Sequence, residues 1–311
     1  MKKIILFVSF TFFINTIQAQ QDPEYTQYMY NMSVVNPAYA TAQPAMLDIG
    51  LLYRTQWVGA VGAPKTATFF GHSSLSKKVE VGLSVISDDI GEGAKKENNF
   101  FADFAYVLEF NKNHKLSLGL KAGFSSFETN FNGFKLESGN VQTDLAFSEN
   151  INIFRPNFGI GAFYFTDQYY VGLSAPNLIP SKHIEERSGI NALGSEDIHV
   201  FLTGGYVFDL SDSFRFKPAF MSRIVAGAPL SFDVTANVLY NNTFELGAAY
   251  RVGDAISILM NANVTRDIKV GYAYDYTLSN LGQFNSGTHE FFILFNLDLL
   301  GKGYDKSPRF F

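Results

Sequence analysis

Apolar residues recur at every second position over long stretches of this chain, and that periodicity leaves few folds open. Leu116, Leu118, Leu120, Ala122 and Phe124 alternate with Lys115, Ser117, Gly119, Lys121 and Gly123. Ile256, Ile258, Met260, Ala262 and Val264 alternate with Ser257, Asn261 and Asn263, and Phe232 to Tyr240 and Ile268 to Tyr276 read the same way. A period of two marks strands with one apolar face. About fourteen such segments are predicted, at 47–57, 64–75, 79–88, 98–110, 114–124, 154–165, 168–176, 197–208, 213–222, 230–240, 243–251, 255–264, 267–276 and 288–299. Most are near the ten residues that a tilted strand needs to cross a bilayer. Every second connection is short and polar, as at Ser76-Lys77-Lys78, Asn111-Lys112-Asn113 and Asn241-Asn242. Most of the others are longer: Val58 to Ala63, Asp89 to Glu97, Ser125 to Ile153, Asn177 to Glu196 and Leu278 to Gly287, with a break in the rule near Gly253. Short turns at one end and long loops at the other are the pattern of an outer-membrane barrel, with both ends of the chain, the N- and C-termini, on the short-turn, periplasmic side.

A soluble all-β sandwich would show the same alternation, with its polar faces in water. Here those faces carry Gly and Ala and few charges; charged residues make up 17% of the chain and aromatics 16%. Tyr and Phe crowd the strand ends, as interfacial girdles do. The fold class is therefore all-β, a transmembrane antiparallel barrel of about fourteen strands. A net charge of −5 leaves no basic patch for nucleic acid. The absence of Cys excludes disulfides, thiolate metal sites and a Cys nucleophile.

Residues 1–19 read as a secretory signal: Lys2 and Lys3, the apolar run Ile4 to Phe13, and Ala19 before the cleavage point. Residues 20–45 form a separate periplasmic or lumenal segment, 46–300 the barrel, and 301–311 a periplasmic tail. Asp22, Pro23 and Glu24 suit a helix start, and Tyr25, Tyr28, Met29 and Met32 then fall on one helical face. Asn36-Pro37 ends the element with a turn. The expectation is a short amphipathic helix lying against the lumen wall or at the rim, as a plug.

The chemistry-bearing residues do not form a catalytic set. Arg54 and Gln56 share the polar face of the first strand; Arg54 either pairs with an interior carboxylate or holds the N-terminal helix through its end carbonyls. Trp57 is placed as an interfacial anchor. His289 and Glu290 are adjacent on a strand, so they point to opposite faces and do not converge. The five His lack metal-ligand spacing, and Gly159-Ile160-Gly161 lacks the helix of a nucleotide loop. Asp88, Asp89 and Glu92 read as a solvated loop, with calcium binding as the alternative. No cofactor or metal is expected. Phe127, Phe131 and Phe134 are many aromatics for one external loop and suggest a lid or a partner contact.

Several motifs resemble the PorP/SprF family of outer-membrane proteins of the Bacteroidota type IX secretion system. Asp22-Pro23-Glu24-Tyr25-Thr26-Gln27-Tyr28-Met29 and Asn36-Pro37-Ala38-Tyr39-Ala40 are similar to its N-terminal signature. Tyr53-Arg54-Thr55-Gln56-Trp57, Tyr170 to Pro176, Phe216-Lys217-Pro218, Tyr274-Asp275-Tyr276, Gly287-Thr288-His289-Glu290 and Arg309-Phe310-Phe311 follow in family order, with Ala219 where Ser is commoner. The resemblance implies a non-enzymatic role in protein export or surface display. It implies as partners a large secreted adhesin-like protein with a type IX C-terminal signal domain, other secretion components and outer-membrane lipid. A channel or hydrophobic-solute transporter is the alternative.

Overall fold

A computed structural model describes residues 23–132, 135–136, 139–140, 150, 152–182 and 195–299. The leader 1–19, Asp22, Phe134, His183 and the tail 301–311 lie outside the described residues. Fourteen antiparallel strands close into a barrel. They are β1 Met46–Thr55, β2 Lys65–Ser76, β3 Val79–Ile90, β4 Lys95–Glu109, β5 Lys115–Thr129, β6 Asn152–Phe165 and β7 Tyr169–Ala175. The second half comprises β8 His199–Tyr206, β9 Phe214–Val225, β10 Ser231–Tyr240, β11 Phe244–Arg251, β12 Ala255–Asn263, β13 Ile268–Thr277 and β14 Thr288–Asp298. Consecutive strands pair throughout, and β1 closes on β14 from Met46↔Asp298 to Thr55↔His289. Closure leaves no edge, which is what a sheet in hydrocarbon requires, since lipid offers the backbone no hydrogen-bond partner.

Burial is inverted relative to a water-soluble protein. Leu120 is 62% exposed while its neighbour Lys121 is 2% exposed. Leu51, Leu118, Phe158, Ile258, Met260 and Phe291 face outward, and Arg54, Lys217, Glu245, Asp275 and Glu290 are sealed inside. An exposed apolar band around a polar interior is stable only where lipid covers the band. Rings line the short-turn end: Tyr169 and Tyr206 stack at 6.0 Å, and Phe208 lies 4.3 Å from Tyr206. Such rows suit the membrane interface.

The short turns follow their chemistry. Asn241 and Asn242 both take positive φ, 48° and 53°, the conformation that a tight hairpin turn with the native twist demands. Three expectations change. The predicted loop Asp89 to Glu97 is mostly strand, because β3 and β4 run on to Ile90 and from Lys95 and leave only residues 91–94 as a turn. Asp88 is buried and accepts a 2.5 Å bond from Thr66, Asp89 holds the Gly93 amide at 2.7 Å, and neither sits in an open loop. Trp57, predicted as the last residue of the first strand, lies beyond β1 with φ 44°, in a connection tied to the β13–β14 loop through Val58 and Gly287.

The single amphipathic helix is also replaced. The N-terminal segment forms a three-residue 3-10 turn, Tyr28–Tyr30, and a four-residue α-helix, Met32–Val35. Residues 25–38 are all buried, so no face of the segment meets water. One-sided periodicity does not select a helix where every side is packed and strand side chains satisfy the backbone.

Candidate functional site

The N-terminal segment threads the barrel as a plug. The first described residues lie at the long-loop end, where Glu24 meets Arg251 at 2.9 Å and also contacts Arg223. Arg251 in turn takes Asp233 on two nitrogens, at 2.9 and 3.2 Å. The sheet begins and ends at the short-turn end, but the described N-terminus does not. It sits at the opposite mouth, because the plug spans the lumen before β1 starts.

Below Glu24, Arg54 binds Glu290 and Asp275, each at 2.9 Å, and Thr26 at 3.0 Å. Glu290 accepts the Thr26 and Gln27 amides at 2.9 and 2.8 Å, and Thr26 Oγ1 reaches Asp275 Oδ2 at 2.7 Å. Glu290 of β14 thus satisfies two plug amides, while Arg54 of β1 and Asp275 of β13 hold the Thr26 hydroxyl. Nearer the short-turn end, Tyr30 donates to Glu245, which Lys217 and Asn237 also bind, at 2.8 and 2.9 Å, and Lys269 at 3.4 Å. Lys269 Nζ lies 4.1 Å from the centre of the Tyr30 ring, within cation–π range.

The plug then turns back. Lys121 donates to the Val34 carbonyl at 3.0 Å while facing Asp103 at 3.5 Å, and Ser174 donates to Val35 at 2.9 Å. Asn36, Pro37 and Ala38 lie flat on a smooth patch of β5, β6 and β7. A Cβ at Gly119 would fall 2.4 Å from the Pro37 and Ala38 backbone, and one at Gly161 would fall 2.1 Å from Asn36 Oδ1. Asn36 uses the closeness, donating to the Ala162 carbonyl at 3.1 Å and accepting the Ala38 amide at 2.9 Å. The segment leaves through Thr41 and Ala42, whose amides bind Glu80 at 3.1 and 2.6 Å; Glu80 also holds His72 at 2.8 Å.

Two cavities flank the plug. The smaller lies at the long-loop end between Glu24, Val35, Phe101 and Phe201, with a volume of about 60 Å³. The larger, about 860 Å³, opens at the short-turn end beneath Met29, Tyr30 and Met32.

Of the candidate residues, Tyr25, Tyr28, Met29, Asn36, Pro37, Tyr39 and Arg54 come together in the lumen. Tyr25 bonds Thr68 at 2.8 Å, and Tyr39 packs edge-on against Phe163. Pro23 lines the small cavity, and Gln56 sits half-buried beyond β1. Phe127 is buried at the long-loop end of β5 beneath the Lys95 ammonium, Phe131 lies in the loop after it, and the expected lid also includes Phe134, outside the described residues. The sequence reading omitted most of the clamp: Thr26, Glu80, Lys121, Lys217, Glu245, Lys269, Asp275 and Glu290. Apart from Thr26, which belongs to the plug, their signal is a charge on the polar face of an alternating strand. His289 and Glu290 diverge as expected, His289 reaching Tyr272 at 2.8 Å while Glu290 takes the plug.

Solved structures share the architecture. An FadL homologue of Pseudomonas aeruginosa matches with TM-score 0.50 and 12% identity over 91% of this chain and 96% of its own. A deletion mutant of TodX, the toluene transporter of Pseudomonas putida, described as a monoaromatic hydrocarbon channel, matches with TM-score 0.50 and 10% identity over 86% and 94%. At such identities the likeness shows the outer-membrane barrel fold alone. No curated protein matches the chain. Residues 17–295 match the model of one family, and the motifs that resemble it, at Asn36, Arg54, Gly172, Lys217, Asp275 and Glu290, are those that meet at the plug. The chain belongs to the type IX secretion system membrane proteins PorP/SprF and is an outer-membrane β-barrel.

Proposed function

We infer that this barrel is a non-enzymatic scaffold that supports type IX export, or surface attachment, of one large adhesin-like protein. In this reading the short-turn end faces the periplasm and the long loops face outward, the usual arrangement of such barrels. The observation that carries the reading is the plug. The lumen is occupied by the chain's own segment, ion-paired to the wall at Glu24 and hydrogen-bonded farther down to Glu290 and Glu245 of two buried wall pairs, so the molecule is built as a closed body. A closed body of this kind serves by presenting surfaces. The loops after β5 and β7 are the long surfaces available, and a rigid scaffold beneath loops favours recognition. The partner in this reading is a secreted protein with a type IX C-terminal signal domain, together with other secretion components.

The test is a mild-detergent purification of the tagged protein from its native outer membrane, with mass spectrometry of the co-purifying proteins. A large secreted protein in near-equal amount supports surface attachment, and recovery of export components alone supports a place in the machine. The bare barrel, with steady conductance in planar bilayers, would overturn the reading in favour of a channel.

A further inference from the structure

The cavity at the short-turn end is lined by more positive charge than the one carboxylate on its surface offsets. Its volume of about 860 Å³ lies in the range of sites that enclose a small ligand. Four cations line it, Arg215, Lys217, Arg266 and Lys269, against one carboxylate, Asp48. Glu245, at its floor, is shared between Lys217 and Lys269. Arg215 is braced by Asp209 at 2.9 Å and Asn242 at 2.7 Å, which points its guanidinium along the rim. Asp209 and Glu245 stand behind three of these cations, and the cavity at the long-loop end is lined by Lys121, Arg223 and Arg251 with Glu24 and Asp233. The excess of cations on the lining is therefore larger at the short-turn mouth, four to one against three to two.

We propose that this vestibule binds an acidic polypeptide segment entering from the short-turn side. Cations graded from an exposed rim (Arg266) to a buried floor (Lys217) draw an anionic chain inward, because low-dielectric walls focus the field of the charges. The remaining lining suits a peptide: Met29, Met32 and Leu294 offer apolar contact, and Asn242, Asn263 and Asn296, already bonded to Arg215, the Asn242 carbonyl and Asp48, add polar surface. A lipid headgroup does not fit, since the wall separates this space from the bilayer. A carboxylate reaching the floor competes with Glu245 for Lys217 and Lys269, and so touches the group that holds Tyr30 of the plug. The inference stands on the cavity's chemistry and is independent of the identity of any secreted substrate.

The experiment uses the full-length barrel in detergent and a fluorescein-labelled hexaglutamate peptide, followed by anisotropy, with hexalysine as the opposite-charge control. Hexaglutamate binds, hexalysine does not, and 0.5 M salt abolishes binding by screening. The double substitution Arg215→Gln/Arg266→Gln at the rim weakens binding about tenfold, from two partly exposed charges. An equal charge change at the other mouth, Lys65→Gln/Lys96→Gln, leaves it unchanged. Because all four residues lie at strand ends or in a turn, heat-resistant mobility on gels verifies that each variant is folded. Asn263→Trp, which fills the cavity without touching charge, also weakens binding. No binding by the wild type, or equal loss with both double variants, overturns the proposal. Displacement by inorganic phosphate at concentrations equal to those of glutamate residues overturns the peptide assignment and leaves a small-anion site.

Discussion

Removing Glu245 should loosen the plug without opening the wall. Glu245 is the common acceptor for Lys217 at 2.8 Å, Lys269 at 3.4 Å, Asn237 at 2.9 Å and the Tyr30 hydroxyl. Its loss strands two buried ammonium groups, and breaking a buried pair by deleting one partner costs about 3–5 kcal/mol. Water from the adjacent vestibule can solvate both lysines, so the lower figure applies. The wall does not absorb that cost, because the β11 ladder to β10 and β12 is backbone to backbone. It falls on docking of Tyr30, and about 3 kcal/mol shifts the docked-to-undocked ratio by roughly 100-fold. The chain contains no Cys, so Asn31→Cys gives a single reporter. Asn31 is fully buried, and its side-chain amide makes no hydrogen bond among the described residues, so the replacement costs the plug little. Maleimide labelling of that cysteine should be slow in the parent and about 100-fold faster with Glu245→Ala. Glu245→Gln, which keeps acceptors for Tyr30 and Asn237, should fall between. Labelling within twofold of the parent in Glu245→Ala would refute the assignment of Glu245 as a plug clamp, as would loss of heat-resistant mobility with no plug exposure.

The same reporter tests the rest of the site, and lipid-facing positions test the wall. Gly119→Ala places a carbon where the Pro37–Ala38 backbone already lies at 2.4 Å; overpacking of this kind costs about 1–3 kcal/mol and should release the 36–38 segment, read as faster labelling of Ala40→Cys. Leu118→Arg, on the outward face, should cost about 2–4 kcal/mol near midplane and reduce the yield of heat-resistant barrel assembled in vesicles. Its neighbour Ser117 faces inward, where alternation alone suggests that charge is tolerated; the structure seals Ser117 completely, so Ser117→Lys should preserve the barrel and displace the plug instead.

The barrel was legible because closure imposes its rule on every strand: inward and outward positions alternate, and lipid and lumen demand different side chains. All fourteen segments are strands, and errors cluster at their ends. Asp89 to Glu97 reads as a loop although most of it is strand, because strands that project beyond the hydrocarbon band carry charges such as Lys95, Lys96 and Glu97 without penalty. The plug was legible as a distinct segment and illegible as a shape. Its helical spacing assumed one dry face, whereas the lumen is packed on all sides and supplies Glu290 and Glu80 as acceptors for its amides. Arg54 stood out as a charge on a polar strand face. Its partners did not, because Asp275 and Glu290 lie more than 200 residues away in sequence and become neighbours only when β14 closes on β1.

Wall and plug are held by different physics, and the difference bears on what the molecule can do. Each wall strand is locked by backbone bonds that have no substitute in hydrocarbon, so a strand cannot leave without exposing several unpaired groups. The plug is held by side chains: Glu24 on two arginines, Thr26 on the Arg54 cluster, Tyr30 on Glu245, and the Val34 carbonyl on Lys121. Water or another polar chain can replace each of these bonds one at a time, and an open vestibule already reaches the Tyr30 clamp. A buried ion pair contributes little net stability relative to a packed apolar contact, but it is strict about geometry. Fastening the plug through the Glu24 pairs and through hydrogen bonds to buried charges therefore fixes where it sits while leaving its release accessible to a competing carboxylate, which an apolar plug of the same volume would not do.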